Sequence, residues 1–238
     1  MNIPVSLFAV AETQLHFVLS RATPVAGVIL VVLALFSVFA WYMMVFKGLQ
    51  MRRAKKLNQY LDAEFRAQKN VLGIFDRRLE VSGCPFFAVY QAGCLELDAR
   101  LKSADSSPRH RTLTLKGMEH IKRTLESAVA RESIKLEAGL ILLASAVSGG
   151  PFLGLLGTVW GVMDTFAMVG QQQSAALETM APGVSAALIT TVAGLVVAIP
   201  SMFGYNYLVH RLRVQTVELD NFAQELVSKM EIEYLKEE

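Results

Sequence analysis

Charge is thin in this 238-residue chain: only 18% of its residues are Asp, Glu, Lys or Arg, against ~25% in a soluble domain. The deficit is concentrated. No charge occurs in the 25 residues between Arg21 and Lys47, none in the 31 between Glu178 and His210, and only Asp164 in the 40 between Glu137 and Glu178. Histidine occurs four times and cysteine twice. Neither an H-E-x-x-H zinc motif nor a phosphate-binding G-x-x-x-x-G-K-[ST] loop is present. Cys84 and Cys94 have no His or Cys partner at zinc-ligand spacing. No metal and no cofactor is expected. A soluble enzyme, a secreted disulfide scaffold and a disordered tail are excluded.

What the chain has instead is apolar length. Hydrophobic residues make up 53%, and a spanning helix needs about 20 predominantly apolar residues, so the three charge-poor runs predict three transmembrane helices. Orientation follows from the basic residues. Residues 47–137 hold 18 of the 23 Lys and Arg against 11 acids, and short Lys/Arg-rich segments stay cytoplasmic. The cluster Lys47, Arg52, Arg53, Lys55 and Lys56 therefore predicts a periplasmic amino terminus and a cytoplasmic carboxyl terminus. Because this cluster follows the first apolar run, that run reads as an uncleaved anchor and not as a signal peptide. Trp41 and Tyr42 suit its cytoplasmic interface. Both cysteines then fall in the cytoplasm, where thiols stay reduced.

The predicted order is an amphipathic periplasmic interfacial helix at residues 1–22, a first span at 23–46 and a cytoplasmic helical region at 47–137. A second span follows at 138–169, a periplasmic loop at 170–178, a third span at 179–210 and a cytoplasmic helix at 211–238. Within the cytoplasmic region, breaks are expected near Gly83 and Pro85 and a loop at Ser103–Pro108. Met118, Ile121, Leu125, Ala128, Val129 and Leu136 recur at helical spacing. One uninterrupted helix from Thr112 to Met168 is predicted, ~85 Å by helical rise. The fold class is all-α.

The second and third runs carry small residues at helical spacing. Gly150 with Gly154 and Gly157 with Gly161 are small-xxx-small pairs, which let helix backbones approach closely. Around Thr158 stand Gly154, Gly161 and Thr165; around Thr191 stand Ala187, Gly194 and Ala198. Each helix thus has a stripe of small residues bearing hydroxyls, with Ser185 and Thr190 adding to the polar set. Tight packing with each Thr bonded to its own helix explains one such stripe. Two matched stripes also suit a shared polar axis.

Gly157-Thr158-Val159-Trp160-Gly161, Ala181-Pro182-Gly183-Val184-Ser185-Ala186-Ala187-Leu188, Ile199-Pro200 and Tyr205-Asn206 resemble the TolQ/ExbB/MotA family, in order and across both later spans. Leu219-Asp220-Asn221-Phe222 and the chain length look more like the TolQ branch than the ExbB branch. The resemblance implies an inner-membrane proton-conducting subunit, assembled as a pentamer around two copies of a single-span TolR/ExbD-like partner with a membrane aspartate. Proton flow would move that partner and energise a TolA- or TonB-like protein. By the same resemblance Thr158 and Thr191 are the functional threonines.

The chain departs from the family pattern once. TolQ and ExbB typically carry an acid in Pro-Gly-Ile-Ala-Glu-Ala, where this chain has Ala186. Its own membrane acid is Asp164, and an ionisable group within a span is a functional candidate by default. Asp164 is read either as a replacement entrance acid or as a charge reaching periplasmic water. Two other classes compete with the channel. An intramembrane serine hydrolase on Ser185 lacks the closing glycine of a G-x-S-x-G turn, and His210 lies ~37 Å along the helix. A passive assembly scaffold or permease component accounts for the small-residue stripes equally well.

Overall fold

The computed structural model describes residues 24–77, 81–103, 113–172 and 177–235. It is all-α: helices α1 (Pro24–Ala67), α2 (Pro85–Ser103), α3 (Leu115–Glu137), α4 (Leu140–Gln172) and α5 (Leu177–Tyr234), with a 3-10 turn at Val71–Gly73. No strand occurs among the described residues, only an isolated bridge between Leu113 and Leu235. Three helices are long and apolar enough to cross a membrane, in α1, α4 and α5. The expected interfacial helix at residues 1–22 lies outside the described residues, as do 104–108 of the expected loop and 173–176 of the segment between α4 and α5.

The chain forms two compact units. The first contains residues 24–45 and 139–206. In it Ile29 and Leu33 of α1 pack on Val197 and Ala193 of α5 and Leu153 of α4. Gly204 lets Met44 press against the α5 backbone, where an added methyl would collide with its sulfur. The remaining helix faces are apolar and exposed, as Val38 at 71%, Phe152 at 71% and Phe203 at 66% show. Faces of this kind need lipid or protein against them, since water-exposed apolar patches of this extent are rare.

The second unit contains residues 46–138 and 207–238 and encloses a packed apolar core. Phe65, Tyr90, Leu97, Ile121, Leu125, Leu219 and Leu226 are buried together, each contributing roughly 1.5–3 kcal/mol of apolar burial. Phe222 stacks on Phe86 at 4.4 Å between ring centres and meets Phe65 edge-on at 5.3 Å. Helix ends are tied down by long-range polar contacts. Buried Asn58 accepts the Phe86 N–H at 3.2 Å and the Cys84 thiol at 3.4 Å, satisfying a donor that the first turn of α2 cannot pair internally. Lys229 donates to the carbonyls of Phe65 (2.9 Å) and Gln68 (2.6 Å) at the end of α1, where a cation suits the negative end of the helix. Glu233 accepts the Val71 N–H at 2.8 Å.

The uninterrupted helix expected from Thr112 to Met168 is corrected. Ala138 has φ −50° and ψ 130°, and Gly139 has φ +88°, so α3 stops and α4 starts afresh at Leu140. The positive φ is strained for any residue with a Cβ. Lys47 supports the break by donating to the Leu136 carbonyl at 3.3 Å, one of the acceptors that a helix end leaves unpaired. The expected boundary near Gly83 and Pro85 coincides with Gly83 at φ +83° and the start of α2.

Candidate functional site

The small residues of α4 and α5 face one another. A methyl group on Gly154 would lie 2.9 Å from Thr191 Cα and from the Thr190 carbonyl oxygen. One on Gly161 would lie 2.7 Å from Ala187 Cβ, and one on Gly194 would lie 2.5 Å from the Gly150 carbonyl oxygen and 3.2 Å from Gly154 Cα. Gly157 meets Thr190, Gly183 meets Thr165, and Gly150 meets Ala198. The two stripes are thus filled within a single chain. They do not by themselves demand a second copy of the chain.

Close approach of the backbones brings hydroxyls onto carbonyls. Thr191 Oγ1 lies 3.0 Å from the Gly154 carbonyl and 3.4 Å from Thr158 Oγ1. Thr158 donates to the Leu155 carbonyl at 2.8 Å. Thr190, fully buried, reaches the Ala187 carbonyl at 2.6 Å and the Gly154 carbonyl at 3.1 Å. Thr165 is buried and donates to the Gly161 carbonyl at 2.8 Å. The Gly154 carbonyl is therefore an acceptor for two threonines of the other helix. Spacing alone did not single out that oxygen; the signal was present in glycine's missing side chain, which uncovers its own carbonyl.

Two of the threonines are interior and two are marginal. Thr165 and Thr190 are enclosed between α4 and α5, whereas Thr158 and Thr191 are half-buried at the edge of the contact. At about 100° per residue, Thr158 and Leu153 leave α4 on opposite flanks of its α5-facing stripe, and Thr191 and Ala193 do the same on α5. Leu153, Ala193 and Val197 are the residues that α1 covers. The Thr158–Thr191 pair consequently occupies the flank away from α1. Each hydroxyl keeps lone-pair capacity beyond its own donated bond.

The other site residues are placed separately. Asp164 is half-buried and lies ~120° around α4 from Thr158, on the flank of Leu153. Ala186 is buried and shares that flank on α5. The contacts Gly161–Ala187 and Thr165–Gly183 bracket Asp164 and Ala186 at one depth. Ser185 is exposed on the side of α5 turned from α4. Among the described residues no group of three His, Cys, Asp or Glu could hold a metal ion. Cys84 and Cys94 are free and buried, and burial pushes the Cys94 thiol up to about 12.

Comparison with known proteins agrees with this architecture. The model of the MotA/TolQ/ExbB proton channel family matches residues 98–221. The Tol-Pal system protein TolQ of Pseudomonas aeruginosa is 32% identical over 219 residues, covering 91% of this chain and 92% of that protein. The biopolymer transport protein ExbB of Xanthomonas campestris is 31% identical over 202 residues, 85% of this chain and 80% of that one. TolQ of Haemophilus influenzae is 30% identical over 224 residues, 92% and 94% of the two chains. Matched across most of its length, the chain belongs to the MotA/TolQ/ExbB proton channel family.

Proposed function

We propose that the protein is an inner-membrane proton-channel subunit that couples proton-motive force to movement of a TolR/ExbD-like partner. Copies of the chain, five by family likeness, would form a ring around two single-span partner helices, each with a membrane aspartate. The partner in turn would energise a TolA- or TonB-like envelope-spanning protein. The observation that carries the reading is the Thr158–Thr191 hydroxyl pair on the flank of α4 and α5 that α1 leaves open. Each hydroxyl already donates to a carbonyl of the helix pair but keeps acceptor capacity on the open flank, which only a polar donor can fill. A carboxyl-bearing partner helix meets that need, and its proton can exchange with hydroxyls that both donate and accept.

The basic segment after the first span orients the chain with its amino terminus periplasmic and its carboxyl terminus cytoplasmic. Reporter fusions after Gln172 and at Ser106 would then read as periplasmic and cytoplasmic respectively. The functional test replaces Thr158 and Thr191 singly by Val, which keeps the shape and removes the hydroxyl. Both variants should assemble with the partner at normal levels and lose energised function. Full function in both would reduce the pair to packing and favour the passive scaffold.

A further inference from the structure

The second unit contains a groove of about 830 Å³ between the segment of α1 that begins two residues after the first apolar run and the segment of α5 around Arg211. Its lining is of two kinds. Leu49, Met51, Leu57, Leu208 and Val214 make an apolar floor, with Leu49 59% exposed. Arg52, Arg53, Lys55, Lys56 and Arg211 supply five cations, and Glu218 is the one acid lining it. None of the five cations is in an ion pair among the described residues. Arg211 donates instead to the Tyr207 hydroxyl at 3.1 Å, with its guanidinium 5.2 Å from the ring centre.

An apolar floor beneath uncompensated guanidinium and ammonium groups, at the end of a membrane-spanning run, calls for an amphipathic anion. We propose that this groove binds an anionic phospholipid, its phosphate held by Arg52, Lys56 and Arg211 and an acyl chain lying on Leu49 and Val214. Free phosphate would leave the floor exposed to water. A zwitterionic headgroup carries its own cation and gains less from five positive side chains. Basic pockets beside membrane helices recognise acidic headgroups by this charge logic. By contrast, the groove at Lys122, Glu126, Asp220 and Glu231 carries three acids against one lysine and would repel an anionic headgroup. The lipid site is independent of the channel reading.

The test is native mass spectrometry of the full-length chain in detergent, titrated with phosphatidylglycerol or phosphatidylcholine. Phosphatidylglycerol should be retained at least roughly tenfold better. Arg52→Gln, Lys56→Gln and Arg211→Gln should each weaken its retention by about fivefold, as expected for one basic group at an acidic surface. All three side chains are exposed, so folding should survive, and the lipid-free unfolding temperature of each variant checks that. Leu49→Asn should weaken both lipids alike. In a parallel thermal assay, phosphatidylglycerol should raise the unfolding temperature and inorganic phosphate should not. Equal retention of the two lipids, undiminished phosphatidylglycerol retention in the folded variants, or stabilisation by phosphate alone would overturn the assignment.

Discussion

Gly154 and Thr191 touch backbone to backbone: a Cβ on Gly154 would sit 2.9 Å from Thr191 Cα, and the Thr191 hydroxyl is 3.0 Å from the Gly154 carbonyl. One glycine therefore sets both the helix spacing and the position of the Thr191 hydroxyl. Gly154→Ala should force α4 and α5 apart, because the obstructing atoms are backbone, and cost about 1–3 kcal/mol, the usual range for overpacking. Gly149→Ala is the control, since its added methyl meets nothing within 4 Å. It should be neutral or stabilising by up to ~1 kcal/mol. Apparent unfolding temperatures in detergent compare the two; equal losses would refute the close contact.

Lys229 ties α5 to the end of α1 through two carbonyls and stands 4.3 Å from the centre of the Phe65 ring. Lys229→Met keeps the stem and removes the donors. It should destabilise the protein by about 1–3 kcal/mol, as expected for charged hydrogen bonds at a helix end. The reading is the apparent unfolding temperature, and an unchanged value would mean that water replaces the ammonium without loss.

Cys94 makes stability depend on alkaline pH. Burial holds its folded thiol near 12, whereas an unfolded thiol titrates near ~8.5. The neutral thiol is favoured by the fold, so its contribution is complete below ~8.5 and erodes as pH rises toward 12. Unfolding temperature should fall more steeply in the wild type than in Cys94→Ala between roughly pH 8.5 and 10.5. Parallel curves would show that the thiol does not titrate on unfolding. Thiol reagents at neutral pH should leave both buried cysteines unmodified until the protein unfolds.

Asp164 shares its depth and flank with Ala186, the position where the family resemblance implies an acid, and stands ~120° around α4 from Thr158. If Asp164 is the entrance acid, Asp164→Asn should cut energised activity by tenfold or more in order of magnitude, and adding Ala186→Glu should restore part of it. The 5% exposure of Ala186 means that the glutamate must displace neighbours, so partial recovery is the expected ceiling. Wild-type activity of Asp164→Asn across external pH would make Asp164 an interfacial charge.

The all-α fold and three membrane helices were legible because charge gaps and apolar runs are local properties of the chain. The Gly150, Gly154, Gly157 and Gly161 spacing was legible for the same reason. What that spacing faced was not: a stripe on one helix does not name its partner, and these stripes meet each other across α4 and α5. The halt at Gly139 was also hidden, since one glycine in an amphipathic pattern costs only ~1 kcal/mol relative to Ala and does not announce its φ. Asn58, Lys229 and Glu233 read as ordinary solvated residues, because their roles depend on helix ends far away in sequence.

In the proposed function, the hydroxyls of Thr158 and Thr191 take part in proton transfer. Proton flux into vesicles containing the chain with its TolR/ExbD-like partner, under an imposed potential, tests it most directly. Thr158→Ser and Thr191→Ser keep a hydroxyl and should retain flux, whereas Thr158→Val and Thr191→Val should abolish it, with each Val costing only about 0.6 kcal/mol of lost hydrogen bonding. Flux in the Val variants equal to that of the wild type would contradict the account.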